Sequence, residues 1–235
     1  MLGDPSLAVD PRFGRNMVAI SIGTALTDHI PEPSESPRPP RHKSLRIPPI
    51  GFAHRGARAH APENTLEAFG LAVKLGANGL ESDVYVTADG IAVLDHDGVV
   101  GSFLRRRPIA ELRRSELPSH IPSLSELYEV VGPGFELSLD VKDPQAFTAT
   151  IDAARQVEAE SKLWLCYPDL DQLTEWRHQT AAILVDSPGR TRIEEGVERR
   201  SAKLAERGID AFNRPGNDWS AGQVALVHRF GRMAL

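Results

Sequence analysis

Cysteine is almost absent from this sequence, which contains one cysteine, Cys166, in 235 residues. A single thiol excludes an intrachain disulfide and a metal site built from several cysteines. This usage is typical of proteins from a reducing compartment, so we expect a cytoplasmic location. Because no partner base is apparent for Cys166, we expect it to be a buried structural residue.

Long hydrophobic runs are also missing. The longest apolar stretch near the start, residues 17–26, is interrupted by Ser21, Gly23 and Thr24 and does not follow a basic segment. We therefore predict neither a signal peptide nor stable insertion in a membrane.

The sequence has no excess of basic residues. Its 27 lysine and arginine residues stand against 32 aspartate and glutamate residues, which gives a formal net charge of -5 at pH 7. Such a chain offers no positive field to a nucleic-acid backbone, so nucleic acid is not an expected partner. The composition does not indicate an oligomeric state.

Two regions differ in composition. Residues 1–48 carry many prolines among Ser, Glu and Arg, a composition that cannot pack a core, and we expect a disordered leader there. Residues 49–235 have the composition of a soluble globular domain. Their length suits one α/β barrel, which typically needs roughly 250 residues.

The stretch from residue 51 to residue 97 concentrates charged and titratable side chains at the ends of predicted strands. The apolar run Ile50–Ala53 stops at His54, and Thr65 is placed to cap a helix that follows. A second strand begins at Leu80. Within it, Glu81 and Asp83 are two residues apart and therefore point to the same face, where they repel each other unless a cation lies between them.

The rest of the chain continues the alternation of strand and helix. Ile91–Leu94 is predicted as a third strand ending at His96, and Phe135–Lys142 as a fourth that can hold Asp140 and Lys142 on one side. Residues 111–117 are predicted to be helical, and Ser123 is predicted to cap a helix over Leu124–Val131. Residues 145–230 alternate further helices and strands, including a strand at Leu163–Tyr167, and residues 232–235 are predicted to open an eighth strand.

The segment 51–97 resembles the signature of the glycerophosphodiester phosphodiesterase family, written as HRG, PENT, ExD and HD. The matching residues, in the family's order, are His54-Arg55-Gly56, Pro62-Glu63-Asn64-Thr65, Glu81 with Asp83, and His96-Asp97. The resemblance implies a TIM (β/α)8 barrel, here incomplete in its eighth strand, and a phosphodiesterase acting on a small glycerophosphodiester.

The resemblance also implies a site for a divalent cation, Ca²⁺ or Mg²⁺. Glu81 and Asp83 would be two ligands, and Asp140 would be the third at a position where the family usually has glutamate. Oxygen ligands of this kind suit such cations better than zinc. Arg55 and Lys142 are expected to contact the substrate phosphate.

His54 and His96 are the expected acid–base pair, because imidazole titrates near neutral pH. In the family the substrate's own glycerol hydroxyl displaces the alcohol, and water then opens the cyclic phosphate. The sequence does not assign one step to either histidine.

Four further residues have two interpretations each. Glu63 and Asn64 either order the metal ligands or form a turn and cap, and Asn213 and Trp219 either line the substrate pocket or pack in the core. Two other functions also remain open. One is a lysophospholipase D or sphingomyelinase D-like enzyme, which would need an apolar acyl groove. The other is a catalytically inactive, incomplete barrel that acts as a binding module.

Overall fold

Strands and helices alternate along the described part of the chain, which comprises residues 44–102, 105–188, 193 and 195–235 of a computed structural model. The strands are β1 Phe52–His54, β2 Gly79–Val86, β3 Ala92–Leu94, β4 Val99–Val100, β5 Arg107–Pro108, β6 Glu136–Val141, β7 Leu163–Tyr167, β8 Ile183–Asp186, β9 Ala211–Phe212 and β10 Met233–Ala234. The helices are α1 Leu66–Lys74, α2 Leu124–Val131, α3 Ala146–Gln156, α4 Leu170–Arg177, α5 Gly196–Glu206 and α6 Ala221–Arg229.

The main sheet is parallel along the order β1-β2-β6-β7-β8-β9-β10, and a helix lies between most consecutive strands of that path. Its inner face contains a buried cluster that includes Trp164, Ile183 and Val185. Phe52 at one edge of the sheet and Met233 at the other both pack against this cluster. Contacts shared by both edges require the sheet to curl. The predicted α/β barrel architecture is thus confirmed, and in the described residues β1 and β10 form its two open edges.

Strand register places the polar residues of the inner face in layers. Asp83 in β2 pairs with Asp140 in β6, which pairs with Cys166 in β7. Because the side chains of a strand alternate between its two faces, Glu81 points to the same side as Asp83. Cys166 is buried, as predicted. The carboxylates therefore face the barrel interior, towards the carboxyl ends of the strands.

Helix caps fix where the helices on the outer face begin. The Thr65 hydroxyl accepts a hydrogen bond from the backbone N–H of Ala68 and starts α1. Ser123 and Glu126 form a capping box at the start of α2, in which each side chain satisfies a backbone N–H of the other. Both helices begin where the sequence predicted, so the loops that precede them are held in place.

The third predicted strand differs from expectation. β3 pairs antiparallel with β2, so it forms a hairpin and is not a member of the parallel barrel path. Met233–Ala234 is consequently the eighth strand of the sheet but the seventh parallel one. His96, which follows β3, does not lie at the end of a parallel strand.

The segment before α2 also differs from the predicted secondary structure. The helix predicted at residues 111–117 is wrong, because the chain there forms two short 3-10 turns, Ile109–Glu111 and Arg114–Glu116.

Most of the predicted leader lies outside the described residues. Its described end includes Arg46, whose guanidinium stacks over Trp164 and pairs with Glu136 at 3.2 Å. None of the helices in the described ranges is long and apolar enough to cross a bilayer.

Candidate active site

A tight turn carries His54 and Arg55 at the carboxyl end of β1. Arg55 has a φ of 56°, and its backbone N–H donates to both the carbonyl and the Oε2 carboxylate oxygen of Glu81, at 2.9 and 3.1 Å. Gly56 follows with a φ of 79°, and a Cβ at this position would lie 2.7 Å from the backbone of Ala68 in α1. The turn is therefore fixed between β2 and α1.

His54 is half exposed and lies beside the acidic residues. Its Nε2 is 3.7 Å from Oε2 of Glu81, and 52% of its side chain is accessible. Burial lowers the pKa of His54, and the positive charges of Arg55 and Arg58 lower it further. The neutral imidazole, which accepts a proton, is thus favoured near pH 7.

Three carboxylates of β2 and β6 crowd the inner face. Burial raises the pKa of Glu81 to about 7, and the negative charges of Asp83 and Asp140 add to this shift. The side chain of Asp83 is almost fully buried, and its Oδ2 has no hydrogen-bond partner. Lys142 Nζ lies between two of these acids, 2.8 Å from Oδ1 of Asp83 and 3.1 Å from Oδ2 of Asp140.

The donor set fits a divalent cation in chemistry and in charge. Glu81, Asp83 and Asp140 offer hard oxygen ligands, and a buried carboxylate oxygen without a partner is an open ligand position. The three are not gathered as a metal cage, since among the described residues no three or more Asp, Glu, His or Cys side chains are arranged to hold an ion. Strand register places Asp83 beside Asp140, and the ammonium of Lys142 bridges their carboxylates.

Arg55 presents a partly buried positive charge beside His54. Its Nη1 pairs with Oε1 of Glu63 at 2.8 Å, and its Nε is buried without a hydrogen-bond partner. A guanidinium with an unsatisfied N–H suits an anionic oxygen. For Lys142, burial alone would lower the pKa, but the hydrogen bond to Asp83 and the charge of Asp140 raise it above its ordinary value. Lys142 is therefore charged.

His96 lies on a separately ordered loop after β3. Its Nδ1 is 2.8 Å from Oδ1 of Asp97, and its carbonyl accepts a hydrogen bond from the Tyr85 hydroxyl at 3.2 Å. The carboxylate of Asp95 accepts the backbone N–H groups of Asp97 and Gly98. The contacts of Tyr85 and Asp95 thus order the backbone of the loop, and the contact with Asp97 orients the His96 ring. In the described chain no hydrogen bond or ion pair joins His96 to His54 or to the three acids.

Comparison with known proteins shows which family the chain resembles over the segment that carries these residues. Residues 54–195, which contain both histidines, both cations and all three acids, match the Glycerophosphoryl diester phosphodiesterase family. The chain belongs to this family.

Curated relatives agree over part of their length. A glycerophosphodiester phosphodiesterase from Caldanaerobacter subterraneus is 33% identical over 107 residues, which cover 39% of this chain and 44% of the relative. Glycerophosphodiester phosphodiesterase 1 from Homo sapiens is 34% identical over 137 residues, which cover 51% of this chain and 39% of the relative. The match spans less than half the length of these two relatives.

Solved structures of the family share the fold. A glycerophosphodiester phosphodiesterase from Thermotoga maritima superimposes with a TM-score of 0.65 at 25% identity, covering 77% of this chain and 81% of the other. A phosphodiesterase from Oleispira antarctica, solved in complex with the product sn-glycerol-3-phosphate, gives a TM-score of 0.66 at 22% identity, covering 79% and 83%.

The four remaining predicted residues make mainly structural contacts. Glu63 pairs with Arg55, and Asn64 is buried and accepts a hydrogen bond from the Ser82 hydroxyl at 2.8 Å. Asn213 donates to the Ser187 hydroxyl at the end of β9. Trp219 donates its indole N–H to the carbonyl of Leu235 and packs edge-on against Phe212. Their roles in a substrate pocket stay predictions.

Tyr85 is a residue that the sequence analysis missed. It supports the His96 loop through its hydroxyl, and a Cβ on Gly98 would lie 2.3 Å from its ring, so loop and ring are in close contact. The signal was present, because Tyr85 continues the alternation of Glu81 and Asp83 along the inner face of β2.

Proposed function

We propose that this chain hydrolyses glycerophosphodiesters to glycerol 3-phosphate and an alcohol. One observation carries the proposal. Strand register brings His54, at the end of β1, beside Glu81 of β2, and it brings Asp83 of β2 beside Asp140 of β6, with Lys142 directly after β6. Titratable groups at the carboxyl ends of barrel strands are where catalysis takes place in this architecture. The curated relatives, which are glycerophosphodiester phosphodiesterases, support the same reaction.

In this proposal His54 is the general base. Its lowered pKa keeps the ring neutral, so it can take the proton from a glycerol hydroxyl whose oxygen then bonds to phosphorus. The phosphorus–oxygen bond to the alcohol breaks, and His96 supplies the proton to that leaving oxygen. Asp97, which contacts Nδ1 of His96, leaves Nε2 to exchange the proton. Water then opens the cyclic phosphate to glycerol 3-phosphate.

Arg55 and Lys142 would neutralise the phosphoryl oxygens during this displacement. Glu81, Asp83 and Asp140 are the residues that would hold a divalent cation, Ca²⁺ or Mg²⁺. When bound, such a cation supplies further positive charge to the phosphate and lowers the pKa of a hydroxyl. Asp140 is one methylene shorter than the glutamate usual in the family, which a flexible oxygen-ligand shell tolerates.

The test is release of glycerol 3-phosphate from glycerophosphocholine by the purified chain, with Ca²⁺ or Mg²⁺ and with a chelator. We expect metal-dependent release that His54→Ala or His96→Ala lowers by at least about 100-fold. His178→Ala is a matched control, because His178 is exposed at the end of α4. A folded, cation-binding protein that releases no product would support the inactive binding module.

A second candidate is favoured by an apolar cavity beside His54. The cavity has a volume of about 350 Å³, and its walls come largely from alanines, together with Leu75, Arg58 and His60. An aliphatic chain suits such walls, as in a lysophospholipase D. The rates of hydrolysis of lysophosphatidylcholine and glycerophosphocholine decide between the two candidate activities. If the cavity binds an acyl chain, Ala57→Glu should lower the rate with lysophosphatidylcholine and leave the rate with glycerophosphocholine unchanged.

A further inference from the structure

Lys142 occupies the space between two carboxylates that strand register places opposite each other. Asp83 and Asp140 are paired across β2 and β6, and Lys142 follows two residues after Asp140 on the same face. The backbone N–H of Lys142 donates to Val84 at 3.2 Å, which keeps the residue against β2. Its ammonium then contacts both acids, at 2.8 and 3.1 Å.

One ammonium does not satisfy this set of acids. Asp83 is 5% exposed in its side chain and keeps a buried Oδ2 with no partner, while Glu81 lies on the same face. A buried carboxylate needs charge and hydrogen bonds on both oxygens, and Lys142 reaches only one of those of Asp83. The pair therefore has capacity for a cation of higher charge.

The two sides of this contact differ in exposure to solvent. Asp83 is buried in a paired strand, whereas 38% of the Lys142 side chain is accessible beyond the end of β6. A lysine side chain is a flexible four-carbon arm that can move its charge by several bonds without moving the backbone. The carboxylates can thus stay in place while the ammonium leaves.

We propose that Lys142 and a divalent cation exchange places between Asp83 and Asp140. Without the cation, Lys142 holds the two acids together and prevents their repulsion. With the cation bound, the ammonium turns towards the open end of the barrel, where it is available to the substrate phosphate. The last step rests on the proposed function, but the exchange itself needs only the protein and the cation.

Calorimetric titration of the whole chain with Ca²⁺ tests the exchange. Removing the competing ammonium in Lys142→Met should tighten Ca²⁺ binding by at least about tenfold. Arg58→Gln is the matched control: its charge also acts on His54, yet no hydrogen bond joins it to the three acids in the described ranges. We expect it to change the affinity by less than about threefold. Equal or weaker binding by Lys142→Met would overturn the proposal.

A second readout follows the lysine itself. Amine labelling at alkaline pH, quantified by peptide mass spectrometry, should modify Lys142 several-fold faster at saturating Ca²⁺ than in chelator. Lys162, which donates to the carbonyl of Pro133, should be labelled at the same rate in both. If the labelling rate of Lys142 is unchanged when Ca²⁺ is bound, the ammonium stays in place and the proposal is wrong. Failure of every variant to bind Ca²⁺ in the titration would also overturn the exchange. Neither readout depends on hydrolysis.

Discussion

At the scale of single residues, Glu81 couples the candidate site to stability. Burial and the neighbouring charges of Asp83 and Asp140 raise its pKa from 4.5 to about 7. The folded state therefore binds the Glu81 proton more tightly than the unfolded state does. Its contribution to stability is complete below pH 4.5 and is lost as the pH rises through about 7.

Glu81→Gln should remove this loss. In chelator, the free energy of unfolding of the unmodified protein should fall by roughly 2–3 kcal/mol more than that of Glu81→Gln between about pH 5 and pH 8. Urea unfolding at intervals of pH measures the difference, and Glu206→Gln, at an exposed carboxyl, is the control. If both proteins lose stability in parallel, the raised pKa is wrong.

Asp186 is a residue whose role is structural. It is fully buried, and its two oxygens each accept a hydrogen bond from Arg200 at 2.7 Å. Asp186→Asn removes the buried carboxylate charge and leaves Arg200 with only the longer contact to Glu195, at 3.3 Å. The substitution should cost about 3 kcal/mol of unfolding free energy.

The matched control for Asp186 is Asp171→Asn. Asp171 pairs with Arg207, but 87% of its side chain is exposed, so the substitution should cost less than about 1 kcal/mol. Denaturant unfolding of both variants gives the comparison. If the two variants lose similar amounts of unfolding free energy, burial of Asp186 does not strengthen the effect of its ion pair on stability.

At the scale of elements, the turn after β1 depends on close contact with α1. Gly56 and Gly90 both have positive φ, at 79° and 81°, but only Gly56 has backbone within 2.7 Å of an added Cβ. Gly90→Ala should cost roughly 1 kcal/mol for its backbone conformation. Gly56→Ala should lower the free energy of unfolding by about 1–3 kcal/mol more than Gly90→Ala does, because Ala68 would have to move. Thermal unfolding distinguishes them, and equal melting temperatures would contradict the close packing.

Most elements could be predicted from the sequence because apolar runs and capping residues mark their ends. The strand β7 and the helix α2 begin and end at the predicted residues. The direction of β3 was missed, although the short connection of residues 87–91 leaves no room for a parallel crossover. The helix predicted at residues 111–117 failed because its apolar residues pack as a small cluster around Val93.

The candidate site was predictable in membership but not in contacts. Alternation along β2 put Glu81 and Asp83 on one face, and the strand pairing adds Asp140. The position of Lys142 between two of these acids depends on the register of β2 against β6. The sequence of a single strand does not determine that register. The same holds for the support of His96 by Tyr85, since the hairpin of β2 and β3 creates it.

At the scale of the whole molecule, the curled sheet places the polar residues of β1, β2 and β6 side by side. Register fixes that adjacency, since His54 pairs with Glu81 and Asp83 pairs with Asp140. Phe52 and Met233 both pack against the buried cluster that contains Trp164, so apolar side chains fill the inner face beneath the polar residues. The fold thus places a polar site above an apolar interior, towards the barrel end where active sites lie in this architecture.

One measurement tests the central claim most directly: release of glycerol 3-phosphate from glycerophosphocholine by the folded chain at saturating Ca²⁺ or Mg²⁺, compared with His54→Ala. The account predicts metal-dependent release that falls by at least about 100-fold in the variant. Release that His54→Ala leaves unchanged, or none from a folded and cation-bound protein, would contradict it.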